Sequence, residues 1–576
     1  MSSTSTSHVD LLTVEIVWHR LVNCATEQWQ ALLRTAFSTV VRESEDCAAG
    51  VFDAGGRLLA QAPKGTPGQI NSMATCIAHF LEAFPAERLH AGDVLISNDP
   101  WRTAGHLNDI TVVTPVFRGE RLVGFMGTCA HSLDIGGRGF ASDGQSTFEE
   151  GLFIPIMKLA EGGELDATLL QIIRSNVRSP DLVIGDILAQ ATCNEVGGGR
   201  MLAVLEEFGL EDFEAVGAEI LARSEGVLRA AIAEIPDGEY TGEVVSDGFS
   251  EPVVLRCRVV VRGDGLLVDF AGSSDQVPWG INVPLCYTAS YTTYALKCAL
   301  APGVPNNAGT FRAITVTAPP GSVLNATRPA PVAGRHIIGN FQPLAVYQAL
   351  ASALPERVIA GSSVLWITTV QGRRASGTEF TSTFFASGGM GARPDKDGLS
   401  ATSFPGNIAM TPIEMLESVT GVFVERKHLR PDSGGPGRCR GGVGQDMVFT
   451  VPSGGAFSVN TMNDQIGEPP FGLAGGRPGG PAAFALGDER PERPKARRRV
   501  DAGVPVLLQL PGGGGYGDPL DRRPQDVARD VTAGLVSEAA ARRDYGVVGH
   551  RAGAAWVADE AATTEARREM RNAAGA

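Results

Sequence analysis

The chain has 576 residues, 43% apolar and 20% charged, an ordinary balance for a globular protein long enough for roughly two to four domains. Its formal charge of −15 argues against non-specific binding to nucleic acid or anionic membrane, and neither a basic leader with an apolar core nor a spanning run of about 18 apolar residues is present. Seventy-one glycines and 35 prolines predict many turns, while nine scattered cysteines without a CxxC fit a reducing, cytoplasmic setting and argue against a thiolate zinc site.

Residues 1–8 read as a polar tail. From Val9 to about Val41, apolar residues Val14, Val17, Leu21, Ala25, Leu32, Leu33 and Ala36 recur at helical spacing and predict a long helix, broken near Cys24-Ala25. CAAGVFDAGGRLLAQA (47–62) predicts a hairpin about Gly55-Gly56. GQINSMATCIAHFLEA (68–83) predicts an amphipathic helix with His79 packed in its apolar side, and GDVLISNDP (92–100) a buried strand ending in a turn.

The most informative stretch follows, at 97–137. ITVVTPVF (110–117) and RLVGFMGTCA (121–130) flank Arg118-Gly119-Glu120 and predict a second hairpin. A turn near Gly119–Glu120 sets position 109 opposite about position 130. Asp109 and His131 then emerge side by side at the open end, with His106 in the entering loop. Two imidazoles and a carboxylate can thus converge on one divalent cation, and such a nitrogen and oxygen donor set suits zinc or manganese. The competing reading is a polar loop histidine, a turn-capping aspartate and a strand-end histidine satisfied by its neighbours. Asp134 either orients His131 or belongs to a turn, and Glu149 and Glu150 read as surface carboxylates.

Residues 166–233 read as helices with Asn176, Arg178 and Asp186 on a solvated face, after which the texture turns β-rich. PLCYTASYTTYALKCALA (284–301) and RHIIGNFQPLAVYQALAS (335–352) each predict one helix, and strands continue to about 510. RPDSGGPGRCRGG (430–442) and LPGGGGYGDP (510–519) lack the lysine and hydroxyl of a phosphate loop, so they read as tight turns packing backbone on backbone. GDERPERPKARRRV (487–500) reads as a charged surface loop. The fold class is α+β and multidomain, with mixed β-rich domains and helical layers. The domains are a metal-binding α+β domain at 9–235, a β-rich middle domain at 236–330, a second β-rich domain at 331–523 and a helical tail at 524–576.

NDPWRTAGHLNDITVVTPVF (98–117) and AHSLDIGG (130–137) resemble the core of the hydantoinase B/oxoprolinase family. Stretches 32–63, 294–326, 430–445 and 511–548 extend the likeness in the family's order. The resemblance implies that Asp46, which the residues alone favour as an acidic turn, joins His106, Asp109 and His131 in a metal site open to water or substrate. Asp46, Asp109 and His131 would be the catalytic residues and zinc the preferred ion, with manganese also suitable. Ser132 stands where the family usually has a further histidine, and KGTPGQINSM (64–73) lacks a histidine common in relatives.

The resemblance further implies a B-type chain in a hetero-oligomer such as (αβ)2, with ATP used by a separate A-type (HyuA-type) subunit. The reaction implied is ATP-dependent opening of a cyclic amide such as a hydantoin, 5-oxoproline or a lactam. ATP-dependent carboxylation of a ketone such as acetone or acetophenone is the alternative. A scaffold chain with a structural metal is the third reading.

Overall fold

The structure, a computed structural model, describes residues 10–575; the tail read at 1–8 lies outside them. Asp10 caps the first helix, Leu11–Thr35, by accepting from the amides of Leu12 and Thr13. The helix runs unbroken through Cys24-Ala25, where neither glycine nor proline interrupts it. The break comes instead at Ala36, after which Ser38 caps the short helix Thr39–Arg42. Val14, Val17, Leu21, Ala25 and Leu32 face inward as their spacing predicts.

That helix, together with Pro180–Glu207, covers one face of a seven-stranded sheet. Its strands are β1 (Cys47–Asp53), β2 (Leu58–Gln61), β3 (Val94–Ser97), β4 (Asp109–Arg118), β5 (Arg121–His131), β6 (Met157–Glu161) and β7 (Glu164–Leu165), in the order β2-β1-β5-β4-β3-β6-β7. All neighbours are antiparallel. The helix Pro67–Ala83 lies on the opposite face through Ile70, Met73, Ile77 and Phe80, all buried among Phe52, Leu58 and Phe125. His79 is not in that apolar side: it is about one-third exposed and faces Glu82 at 3.3 Å, because the helix turns position 79 outward.

A four-stranded sheet follows, β8 (Gly238–Ser246), β9 (Val253–Arg262), β10 (Gly265–Asp269) and β11 (Ile314–Thr317), with β10 and β11 parallel. The helix Leu285–Leu300 forms as read. The stretch 335–352 makes two short helices, Arg335–Gly339 and Phe341–Leu350, jointed at Asn340.

Two further sheets complete the β-rich part. One holds β12 (Trp366–Arg373), β13 (Glu379–Ala386), β16 (Phe457–Met462) and β18 (Arg497–Val500); the other holds β14 (Phe423–Leu429), β15 (Gln445–Thr450), β17 (Ala483–Leu486) and β19 (Val506–Gln509). One apolar core runs continuously from Val40 and Leu133 through Tyr287, Leu344 and Trp366 to Leu510. The stretch 487–500 is not simply a charged loop. Its Lys495 is buried against Asp464 at 3.0 Å, and Arg497–Val500 pair into a sheet.

The C-terminal part has helices Pro524–Thr532, Glu538–Tyr545 and Glu560–Gly575. It also holds a hairpin of β20 (Gly549–Ala552) and β21 (Ala555–Ala558) that the helical reading missed. Gly553, at φ +64°, makes its turn, and Trp556 fills a small core with Val527, Val531 and Tyr545. Among the described residues no helix is long and apolar enough to cross a membrane.

Candidate metal centre

The central hairpin positions the site. From the turn, Arg118 pairs with Arg121 and Phe117 with Leu122, which projects position 109 onto position 130. An irregularity between Val116 and Phe117 inserts one residue, and Asp109 lands directly opposite His131. On the other side of β5, Cys47 pairs with Ala130, and the His131 amide donates to the Asp46 carbonyl at 3.0 Å. Asp46, His131 and Asp109 therefore sit on three adjacent strands at one rim of the sheet, and His106 folds over them from the loop before β4.

His106 Nε2 lies 2.9 Å from Asp109 Oδ1, and His131 Nδ1 lies 3.3 Å from the same oxygen. The three donor atoms fall within 4.8 Å of one another, all buried. Asp46 stands at the edge of this trio, its Oδ2 3.9 Å from His131 Nδ1. The His106 tautomer is set from outside. Its Nδ1 is 2.8 Å from the Ala333 carbonyl, which can only accept, so the proton is on Nδ1 and a lone pair on Nε2. That lone pair faces a carboxylate oxygen, and Nε2 makes no hydrogen bond among the described residues. Two facing lone pairs at 2.9 Å are repulsive without a positive charge between them. The donor set therefore fits a divalent cation.

Burial, with the nearby Arg335 cation, pushes His106 down to about 4 and keeps it neutral. Burial pushes Asp46 up to about 6, against the pull of His131. For Asp109 burial works in the same upward direction, but the cationic and hydrogen-bonding groups around it, the Arg335 guanidinium among them, outweigh it and hold the carboxyl well below the usual range.

Several site groups escaped the sequence reading. Gln69 Nε2 bridges the two carboxylates, 3.0 Å from Asp46 Oδ1 and 3.2 Å from Asp109 Oδ1, and Thr66 donates to Asp46 at 3.1 Å. Arg335 grips Asp109 Oδ2, donates to the Ala104 carbonyl at 2.6 Å and lies over the Tyr287 ring at 4.1 Å. Glu150 is buried, contrary to its reading as a surface carboxylate. Its Oε1 accepts from the amides of Val332 and Ala333 at 2.6 and 2.7 Å, which fixes the carbonyl that orients His106. Burial pushes Glu150 up to about 8. The available signal was an arginine and a histidine at the head of an otherwise apolar helix, RHIIGNFQ.

Asp134 is a turn residue. It accepts from the Gly136 amide at 3.0 Å and pairs with Arg178 at 2.8 Å, not with His131. Asp186, expected on a solvated face, is buried and accepts from the amides of Phe37 and Ser38 at the helix break. Ser132 donates to the Asp134 carbonyl at 2.9 Å and stays out of the centre.

Over the centre lies a cavity with about 20 Å³ of room for the centre of a water-sized guest. The metal-centre residues and Phe140, Tyr287, Tyr291, His336 and Asn340 line it, with Leu365, Ile367 and Ile408 closing it from the β-rich part.

The hydantoinase B/oxoprolinase family profile matches residues 10–519. The B-type chain of a putative D-/L-hydantoinase from Pseudomonas sp. (strain NS671) is 32% identical over 94% of this chain and 96% of its own length. The beta chain of the caprolactamase of Pseudomonas jessenii is 30% identical over the same shares. The 5-oxoprolinase of Dictyostelium discoideum is 26% identical over 90% of this chain, which spans only 41% of that protein. The crystal structure of the ATP-dependent caprolactamase from Pseudomonas jessenii superposes with a TM-score of 0.87 at 28% identity, covering 98% of this chain and 100% of that one. A nucleotide-free acetone carboxylase chain shares the fold, with a TM-score of 0.89 at 22% identity, covering 97% of this chain and 83% of that one.

Proposed function

This chain belongs to the hydantoinase B/oxoprolinase family, and we propose that it is the metal-holding chain of an ATP-dependent enzyme that opens cyclic amides. His106, Asp109, His131 and Asp46 would hold the cation, zinc by preference and manganese otherwise. The observation that carries this reading is the His106 lone pair, locked toward Asp109 and His131 by the Ala333 carbonyl. The relatives named hydantoinase, caprolactamase and 5-oxoprolinase support the substrate class, since each name denotes action on a cyclic amide.

An unstrained ring amide is a poor electrophile, so its carbonyl has to be activated before water attacks. Two relatives are named as one chain of a multi-chain enzyme, and neither glycine-rich stretch here has phosphate-loop residues. ATP use is therefore assigned to a separate A-type subunit in a hetero-oligomer such as (αβ)2. A divalent cation held by His106, Asp109, His131 and Asp46 would supply Lewis acidity and a water of lowered pKa. Asp46 or Asp109, through a carboxylate oxygen not engaged with the cation, would take the proton from the attacking water. Gln69 holds the two carboxylates at fixed separation, and Arg335 keeps Asp109 ionised and turned inward. Phe140, 4.7 Å from the His131 ring, covers the centre with an apolar face that excludes bulk water.

The test is product analysis of the chain co-expressed with its A-type partner, supplied with ATP, labelled bicarbonate and a panel of hydantoins, lactams and ketones. Ring-opened amino acid without retained label is expected. Label fixed into a β-keto acid would instead make the chain part of a ketone carboxylase.

A further inference from the structure

His336 and Asn340 are four residues apart, and the Asn340 amide donates to the His336 carbonyl at 2.9 Å. Their side chains therefore leave one face of a single helical turn. That face meets the cavity over the metal centre. Both residues are buried, His336 at 4% exposure and Asn340 at 1%. Yet neither ring nitrogen of His336, nor the oxygen or nitrogen of the Asn340 carboxamide, has a hydrogen-bond partner among the described residues.

Native proteins leave few buried polar side-chain atoms unpaired, and each one asks for an explanation. Six such atoms belong to residues lining this cavity: these four, Gln69 Oε1 and His106 Nε2. A cation accounts for His106 Nε2. One water fits the room available, and with at most about four hydrogen bonds it would have to satisfy all four atoms of His336 and Asn340 by itself. The atoms of His336 and Asn340 are disposed for a guest with its own donors and acceptors.

We propose that His336 and Asn340 form the recognition wall of this centre and read the adjacent N–H and C=O of a ring amide. The inference rests on the amide-hydrolase reading and adds the residues that impose it. A ring holds its amide cis, so donor and acceptor lie on one edge. The Asn340 carboxamide presents the complementary acceptor and donor in one plane. The His336 imidazole supplies one further donor and one further acceptor, matching the second carbonyl or N–H of an imide or hydantoin. A simple ketone has only an acceptor and leaves the Asn340 oxygen unmatched, which is the kind of mismatch that discriminates strongly between substrates. Seating a ring requires Leu365, Ile367 or Ile408 to move aside.

The experiment uses the full complex with its ATP-using partner and measures four things for each variant: metal per chain, melting temperature, and kcat and KM separately. The substrates are a lactam and the same lactam methylated on nitrogen. Asn340→Leu keeps the branched outline of the side chain, adds some bulk and removes the polarity. Its metal content should be unchanged and its melting temperature equal or higher, because two unpaired atoms are gone. Its kcat/KM for the lactam should fall about 100-fold, mostly through KM. The N-methyl lactam should already be a poor substrate for the unsubstituted enzyme and should lose little more.

His336→Gln, which keeps a donor and an acceptor, should retain more activity than His336→Leu, and this pair decides the matter if Asn340→Leu fails to fold. Equal losses for both lactams, or a folded, metal-loaded Asn340→Leu within about threefold of the original activity, would overturn the wall while leaving the hydrolase reading in place. An unsubstituted complex that carboxylates ketones and opens no ring amide would remove both.

Discussion

Two regions of this molecule bring together segments far apart in sequence, and they do so with opposite chemistry. In the glycine-lined junction around 433–442 and 511–517, the contacts are backbone on backbone and closely paired. Gly435 donates to Gly513 at 2.8 Å, Gly513 to Gly442 at 2.9 Å, Gly514 to Gly361 at 2.8 Å and Gly515 to Arg477 at 2.9 Å. In the cavity over the metal centre the contacts are side chain on side chain, and six polar atoms have no partner among the described residues. The junction satisfies itself, whereas the cavity does not. A glycine-rich loop whose amides are already bonded to its own neighbours has none left for a phosphate. Unpaired side-chain atoms cost about 1–3 kcal/mol each in the empty state, so the cavity carries a cost that a guest would relieve.

The largest expected effect breaks the junction. A Cβ at Gly513 would overlap the Met390 carbonyl and the Gly391 amide, both backbone atoms that cannot turn away. Gly513→Ala should give little soluble, folded protein, as read by circular dichroism and yield. A normal melting temperature in that variant would show slack that the packing does not suggest.

The next effect breaks the cavity without breaking the fold. His131→Ala should abolish turnover by the complex, a loss of at least about a thousandfold, while the chain stays folded. Retained activity would remove His131 from the site. Asp46→Asn should lower metal per chain after dialysis, as measured by elemental analysis. Unchanged stoichiometry would return Asp46 to the acidic turn that the sequence alone favours.

The smallest effect sharpens the comparison through pH. Glu150 supports the carbonyl that orients His106, and burial raises its carboxyl from 4.5 to about 8. Between those values the folded chain holds a proton that the unfolded chain has released. Stability from this group is therefore fully present below about 4.5 and is lost as pH rises through about 8. Glu150→Gln keeps an acceptor for the amides of Val332 and Ala333 and removes the titration. Relative to the original chain, it should gain stability steadily from about pH 5 to about pH 8, by up to a few kcal/mol. A constant difference across that range would mean that Glu150 does not titrate there.

How much was legible follows from how local each feature is. The hairpin at 110–130 could be read because strand alternation and a glycine turn lie within one short stretch, and it brought Asp109 and His131 together. The projected register was off by one residue, because no residue type announces the irregularity at Val116–Phe117. Asp46 entered only through the family resemblance, since spacing cannot show that two strands about 80 residues apart are neighbours. His79 and Glu150 were misassigned for the same reason: burial depends on which surface a helix or loop is pressed against.

By itself the sequence determined the α+β class, the hairpin and the structural role of the glycine stretches, and it allowed without requiring the His106-Asp109-His131 cluster, all on short-range periodicity and turn chemistry. Only the tertiary structure decided that Arg335 grips Asp109, that the Ala333 carbonyl sets the His106 tautomer, and that His336 and Asn340 face the cavity. Those contacts join residues more than 200 positions apart. They exist because one continuous apolar core presses the helices at 335–350 onto the rim of the first sheet.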